Sequence, residues 1–185
     1  AGNAGAGKEM IETALQSDAE WLPGYTTLAG LQSGDLGAQI GTYRRGLEAM
    51  PGSQELALLL GTAYEKNGQI EDAIAAYDEA LLAKPDSPAV ANNLASLLAD
   101  YRTDTDSLRR ALGLAEQFRT SNNPAFLDTL GWVYYRLGDY KSAVPLLEKA
   151  VDAAPQIPVL RYHLGMAYIA ANKPVMAKEQ LEIAL

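Results

Sequence analysis

The sequence predicts an all-α fold in which about 11 helices form antiparallel pairs that stack one after another. A dipeptide of leucine followed by glycine or alanine recurs at spacings of 34, 36 and 34 residues, at Leu60-Gly61, Leu94-Ala95, Leu130-Gly131 and Leu164-Gly165. Pro51, Pro85 and Pro155 keep the same period, with one step doubled. Such a period in a helical pattern indicates a solenoid, whose units bury their apolar faces only against their neighbours.

The amino-terminal part predicts an incomplete start to this array. Residues 1–7 are rich in glycine and alanine and are expected to be a disordered lead-in to an array over residues 8–185. Residues 8–19 have one apolar helical face and predict the second helix of a partial repeat. Residues 20–53 form a degenerate repeat. Its first helix contains Pro23, Gly24 and Gly30, so we expect that helix to be short or irregular.

The next complete repeat, residues 54–87, shows the pattern most clearly. Apolar residues recur at helical spacing until Asn67-Gly68, where asparagine and glycine supply the backbone freedom of a tight turn. A second helix follows and ends at Pro85, because proline cannot continue a helix interior. Residues 124–157 repeat this pattern, and residues 158–185 repeat it again without the closing proline.

The repeat over residues 88–123 departs from the others in two ways. The turn over residues 101–107 is about four residues longer, and Asp106 or Ser107 is expected to cap the helix that follows. Phe118 stands where the neighbouring repeats carry Ala80 and Ala150, so the packing there must adjust locally.

Composition excludes several classes of function. The hydrophobic fraction of 48% and the charged fraction of 21% are typical of a globular chain. A formal net charge of −8 makes nucleic acid an unsuitable main partner, because an acidic surface repels phosphates. The chain contains no cysteine, which excludes disulfides, thiolate metal sites and a thiol nucleophile. No apolar run approaches the roughly 18 residues that a membrane-spanning helix needs.

These patterns resemble the tetratricopeptide repeat (TPR), which combines a Trp/Leu-Gly-Tyr pattern in its first helix with an Ala-Phe/Tyr-Ala-Pro pattern in its second. The resemblance covers the chain from about residue 7, strongly in three repeats and weakly in two. It implies a right-handed superhelix whose first helices line a concave groove. It also implies binding of a peptide or a partner protein, with no catalysis and no cofactor.

A finer resemblance concerns the pathway. The segments 127–132 and 160–165 are similar to those of bacterial TPR lipoproteins linked to exopolysaccharide and to PEP-CTERM/exosortase protein sorting. This resemblance implies a bacterial assembly factor for exopolysaccharide or envelope protein export. It favours a periplasmic or envelope-associated location over a cytoplasmic one.

The candidate site is the groove-facing surface of the first helices in the carboxy-terminal half. Side chains between the packing positions are expected to point into this groove, namely Asn92, Asn93, Ser96, Asp100, Asp128, Thr129, Trp132, Tyr135, Arg136, Tyr162, His163, Met166 and Ile169. Trp132, Tyr135 and Tyr162 offer the large contact area that anchors binding energy. The alternative is that these rings only pack against neighbouring helices. Asn93 stands where, by the resemblance, peptide-binding members place an asparagine that bonds the ligand backbone.

Other chemistries find less support in the sequence. Residues 2–8 fit the letters of a phosphate-binding loop, but no strand precedes them and Glu9 stands where such a loop needs serine or threonine. His163 is the single histidine, and no carboxylate at a suitable repeat spacing obviously joins it to form a metal site. We therefore expect it to have a surface or packing role in preference to a ligand contact. The basic residues with which chaperone-binding relatives clamp an acidic tail are missing, since Asn92, Ser96, Asn93, Ala125 and Thr129 occupy their positions.

One further alternative is structural. The array could be a spacer or self-association module of a longer protein, with no ligand in its groove. Met10, Ile11 and Leu15 at one end, and Leu181 and Ile183 at the other, lack a helix to cover them in the predicted array. We therefore expect homodimers or end-to-end association through uncapped terminal helices.

Overall fold

The computed structural model describes residues 2–185, with side chains from residue 5 onward, and this part of the chain holds eleven α-helices, one 3₁₀ helix and no strand. The helices are α1 (Gly2–Ser17), α2 (Leu22–Leu31), α3 (Leu36–Ala49), α4 (Gln54–Lys66), α5 (Ile70–Ala83), α6 (Pro88–Tyr101), α7 (Thr105–Ala115), the 3₁₀ helix (Glu116–Phe118), α8 (Pro124–Arg136), α9 (Tyr140–Ala153), α10 (Pro158–Ala170) and α11 (Pro174–Ala184). The predicted all-α fold with about 11 helices is confirmed. The chain divides into two compact units, one up to Val90 and one from Ala91.

In the first unit the consecutive pairs α1 and α2, α2 and α3, α3 and α4, and α4 and α5 pack against each other. The turns between paired helices place Gly34 and Gly68 at φ of 102° and 73°, which is backbone that residues with a Cβ rarely adopt. Asp35 and Ser53 begin α3 and α4 by accepting hydrogen bonds from Ala38 N and Leu56 N. The predicted helix–turn–helix pattern of residues 54–87 is therefore present, with its turn at Gly68.

A glycine sets the distance between α4 and α5. A Cβ on Gly61 would overlap the ring of Tyr77, which is fully buried in α5. The Tyr77 hydroxyl then donates to Glu65 Oε1 over 2.8 Å, back on α4. The small residue of the repeated Leu-Gly dipeptide thus makes room for the large residue of the paired helix.

The second unit repeats the same construction. Successive helices from α7 to α11 pack in pairs, and α8 also contacts α10 directly. A Cβ on Gly131 would come within 2.7 Å of Leu147, and one on Gly165 within 2.6 Å of Leu181. The turns use Gly138 at φ of 82° and Asn172 at φ of 57°. Since α8 and α10 are the first helices of consecutive repeats, their contact creates one continuous surface.

The amino-terminal prediction needs correction. Residues 2–7 belong to α1, so the predicted disordered lead-in is wrong for them, while Ala1 lies outside the described residues. Within this segment Gly7 lies near the side chain of Leu31 in α2. Leu15 is also buried, because Gly24 lets α1 approach α2 at this point, whereas Met10 remains exposed as predicted. The helix α2 has only 10 residues, which confirms the short first helix of the degenerate repeat.

The long turn of the fourth repeat also differs from the prediction. Asp104, and not Asp106 or Ser107, caps α7, because its carboxylate accepts a hydrogen bond from Ser107 N over 2.8 Å. Phe118 ends the 3₁₀ helix that follows α7 and stacks on Phe126 with ring centres 4.3 Å apart. The expected local adjustment at Phe118 is therefore a change from α-helix to 3₁₀ helix.

Candidate functional site

The predicted site residues lie on α6, α8 and α10 within the second unit, and we call their shared surface the first-helix face. Their exposure differs by helix. Asn92, Asn93 and Ser96 of α6 are half-buried. Asp128, Thr129 and Trp132 of α8 are buried, whereas Tyr135 and Arg136 are half-buried. On α10, Tyr162 is exposed, and His163 and Met166 are half-buried.

Trp132 forms the centre of the first-helix face. Its ring stacks on Tyr135 with centres 4.5 Å apart and on His163 with centres 4.0 Å apart. Tyr162 lies at a tilt, with its ring centre 6.3 Å from that of Trp132. Only 8% of Trp132 is exposed, so most of its area is used for packing between helices. The Trp132 ring, which the sequence predicts as a candidate ligand anchor, therefore also joins α8 to α10.

His163 has an acidic partner, which corrects the expectation that no carboxylate would join it. Its Nδ1 lies 2.9 Å from Oδ2 and 3.0 Å from Oδ1 of Asp128. Both side chains are nearly buried. Burial raises the pKa of Asp128, while the hydrogen bond and charge of His163 act in the opposite direction. The pair fixes the orientation of the imidazole that stacks on Trp132.

A second carboxylate, that of Asp100, binds the indole directly. Trp132 donates its Nε1–H to Asp100 Oδ1 over 2.7 Å, and Asp100 lies at the exposed carboxy-terminal end of α6. Polar and stacking contacts therefore run from Asp100 through Trp132 and His163 to Asp128. This chain of contacts connects the first helices of three consecutive repeats and holds the aromatic surface in one arrangement.

Arg136 is engaged within the protein. Its guanidinium donates to the carbonyl of Ala99, and to that of Arg102 over 2.9 Å, both at the end of α6. A cation at this position satisfies carbonyls that the helix leaves unpaired and interacts favourably with the helix dipole. Arg136 therefore caps α6 and is not free to bind an anionic ligand.

One polar side chain of α6, that of Asn92, is incompletely paired. Asn92 donates from Nδ2 to Asn93 Oδ1 over 3.4 Å, a long hydrogen bond. Its own Oδ1 is buried and accepts no hydrogen bond from the described part of the chain. A buried acceptor without a partner is costly, so this amide lowers the stability of its surroundings.

Tyr140 is a member of the site that the sequence did not single out. It is the first residue of α9, and its ring centre lies 5.8 Å from that of Tyr135. Burial is the main cause that raises the pKa of Tyr135, and the neighbouring hydroxyls of Tyr140 and Tyr162 raise it further. The register of first helices gives no signal for Tyr140, because this residue begins a second helix. We call Tyr135, Tyr140 and Tyr162 the tyrosine cluster.

The described residues contain no group of three or more histidine, cysteine, aspartate or glutamate side chains that could hold a metal ion. In the same part of the chain, no helix has the length and apolar character needed to cross a membrane. The site consists of stacked rings, hydroxyls and amides on rigid helices, which is the chemistry of recognition.

Known structures share this fold. A TPR protein from Parabacteroides merdae ATCC 43184 superposes with a TM-score of 0.74 at 15% identity, covering 98% of this chain and 72% of that one. MamA (residues 41 to the end) from Desulfovibrio magneticus RS-1 gives 0.69 at 17% identity, covering 86% and 90%. YrrB, described as a TPR protein with an unusual peptide-binding site, gives 0.69 at 18% identity, covering 96% and 91%.

At the level of sequence, no curated protein matches the chain. The family model of the tetratricopeptide repeat matches residues 30–99 and 134–185, which is more than half of the chain. The match agrees with the paired helices, the small residue that each Leu-Gly dipeptide contributes, and the left-handed turn residues described above. The chain belongs to the tetratricopeptide repeat family.

Proposed function

We propose that this TPR protein is an interaction scaffold that binds a peptide segment of a partner protein on its first-helix face. The TPR fold is one that serves protein–protein interaction, and the choice of face is our inference. The observation that supports it most is the aromatic surface around Trp132, which Asp100, Asp128 and His163 hold in place before any ligand arrives. Preorganised aromatic area lowers the entropic cost of binding.

Three further observations support a peptide ligand. Tyr162 is 45% exposed beside the buried Trp132, so a ligand has a ring to cover. The similar structure YrrB carries a peptide-binding site according to its description. The half-buried amides of Asn92 and Asn93 provide donors and acceptors that suit a peptide backbone.

A peptide array tests the face. The chain and its Tyr162→Ala and Asn93→Ala variants are applied to immobilised peptides, with Leu82→Ala as a matched control, because Leu82 is an exposed apolar residue on α5. We expect specific peptides to lose at least about fivefold in affinity with Tyr162→Ala, since an anchor residue typically contributes more than about 1 kcal/mol. Unchanged binding by both site variants would refute the face as the binding surface.

We further propose that the partner belongs to a bacterial system for exopolysaccharide or envelope protein export, with the protein in the periplasm or at the envelope. The support is the resemblance of segments 127–132 and 160–165 to TPR lipoproteins of such systems. Deleting the gene should lower exopolysaccharide output, and the Tyr162→Ala variant should fail to restore it while Leu82→Ala restores it. Normal output after deletion would contradict this assignment.

Self-association is a second candidate function, favoured by exposed apolar residues on the terminal helices. Val175 is 82% exposed and Ile183 55% exposed on α11, and Met10 is 74% exposed on α1. Light scattering should show a mass that rises with concentration, and the variants Val175→Lys and Ile183→Lys should abolish that rise. A constant monomer mass would exclude this candidate.

A further inference from the structure

The tyrosines of the second unit differ in what their hydroxyls contact. Tyr134 donates to Glu116, and Tyr168 donates to Glu148 over 2.7 Å, so each of these buried tyrosines is satisfied by a carboxylate of the preceding repeat. In the part of the chain that the structure describes, the hydroxyls of the tyrosine cluster have ring neighbours but no hydrogen-bond partner. Three hydroxyl donors thus remain available next to the aromatic surface.

The arrangement of the rings limits which ligand fits. Tyr135 stacks on Trp132, while Tyr140 and Tyr162 stand at tilts of 47° and 49° to the ring that each contacts. A helical ligand has already paired its backbone carbonyls and would leave these hydroxyls unused. An added β-strand needs a sheet edge, which a helical face does not present. Once a helix and an added β-strand are excluded, the kind of ligand that fits is an extended segment whose backbone carbonyls are unpaired.

Proline-containing segments have this property. The polyproline II conformation makes no internal hydrogen bonds, so its carbonyls are free to accept from hydroxyl donors. Its rings pack on aromatic side chains, and its stiffness reduces the entropy lost on binding.

The charged groups of the face indicate the rest of the ligand. Arg136 is occupied by the carbonyls at the end of α6, and His163 is paired with Asp128. Asp100 is exposed and accepts a hydrogen bond from Trp132, which leaves a carboxylate at the edge of the aromatic surface. A lysine or arginine in the ligand complements this carboxylate, and the formal net charge of −8 attracts such a ligand.

We propose that the tyrosine cluster binds a proline-containing extended segment of the partner, and that a basic residue of this segment pairs with Asp100. This inference rests on the proposed function of the first-helix face and specifies its ligand. Tyrosine hydroxyls donate to the carbonyls of the segment, its proline rings lie against the exposed rings of Tyr140 and Tyr162, and its cation lies at the Asp100 end.

Binding of synthetic peptides to the full chain tests this proposal. The probe is a proline-rich peptide with interspersed lysines. Two comparison peptides replace its prolines by alanines or its lysines by glutamates. Titration calorimetry should show the probe binding at least about tenfold more tightly than either one, since a tenfold ratio corresponds to roughly 1.4 kcal/mol. Equal binding of the alanine peptide would overturn the proposal.

Variants that keep the ring locate the contact. Tyr162→Phe and Tyr135→Phe should each weaken the probe about three- to tenfold, because each removes one hydrogen bond and no aromatic area. The control Tyr101→Phe removes the hydroxyl of an exposed tyrosine outside the cluster and should change nothing. Circular dichroism and the melting temperature establish that each variant is folded. Unchanged affinity in both cluster variants would overturn the proposal.

The failures of the two proposals can be told apart. If array peptides without proline bind and lose affinity with Tyr162→Ala, the proline-ligand proposal fails and the first-helix face remains the binding surface. If no peptide depends on Tyr162, both proposals fail.

Discussion

His163 Nδ1 lies 2.9 Å from Asp128 Oδ2, although the two residues belong to consecutive repeats. The TPR period predicts that their helices are neighbours, and the structure shows that their side chains pair across the junction. The pair restrains the imidazole that stacks on Trp132. Stability and the proposed recognition surface are therefore coupled at this point.

Asp128 gives the chain a specific dependence on pH. Burial raises the pKa of Asp128 above its usual 3.8. The stability that the protonated carboxyl contributes is therefore fully present below pH 3.8 and is lost as the pH rises through the raised pKa. Asp128→Asn keeps the size of the side chain and removes this titration. The melting temperature of the parent, relative to the variant, should therefore fall from about pH 4 upward. The exposed Asp106→Asn is the control, and a difference that rises with pH would contradict the sign.

Gly61 should not tolerate alanine. The added Cβ would overlap the buried ring of Tyr77, and overpacking of this kind costs about 1–3 kcal/mol. The matched control is Gly113→Ala, where a Cβ meets nothing within 4 Å on α7, and helix propensity there predicts a gain of roughly 0.5–1 kcal/mol. Urea unfolding measures both changes, and a neutral Gly61→Ala would show that α4 and α5 can move apart freely.

Asn172 occupies the turn position that glycine fills in three other repeats. Its φ of 57° favours glycine, so Asn172→Gly should leave stability unchanged or raise it slightly. Asn172→Ala should lower it by about 1 kcal/mol, because alanine lacks the short polar side chain whose local hydrogen bonds let asparagine adopt this conformation. Thermal unfolding of the two variants compares them directly, and equal melting temperatures would refute the argument.

Arg136 should stabilise the end of α6. Arg136→Met keeps much of the apolar stem and removes the donors to the carbonyls of Ala99 and Arg102, with an expected loss of about 1–3 kcal/mol. Arg109→Met, at an exposed arginine, serves as control. Hydrogen exchange should locate the loss at the last turn of α6. Unaltered exchange there would mean that the cap is not needed.

Sequence periodicity predicts the helices well because the turns and the Leu-Gly positions of each repeat can be occupied by only a few residue types. The left-handed turn at Gly68 and the close approach at Gly61 are of this kind. The pairing of Asp128 with His163 and the capping by Arg136 were not predicted, because they depend on how far neighbouring helices rotate about their axes. The period gives the order of the helices and leaves that rotation open.

The lead-in illustrates another limit. A glycine-rich segment has weak helix propensity by itself, which predicts disorder for residues 1–7. Packing of α1 against α2 outweighs that preference, as the position of Gly7 beside Leu31 shows. Local composition is a poor guide where a neighbouring element supplies the stability.

The capping of α6 from α8 has a practical consequence for the turn over residues 102–104. The hairpin turns at Gly34, Gly68, Gly138 and Asn172 each need a residue with positive φ, whereas this turn has none among the residues described. Arg136 holds the carbonyl of Arg102, and Asp104 caps α7, so both edges of this turn take part in closing a helix end. A reporter tag or a grafted epitope inserted between residues 102 and 104 should therefore loosen α6 or α7.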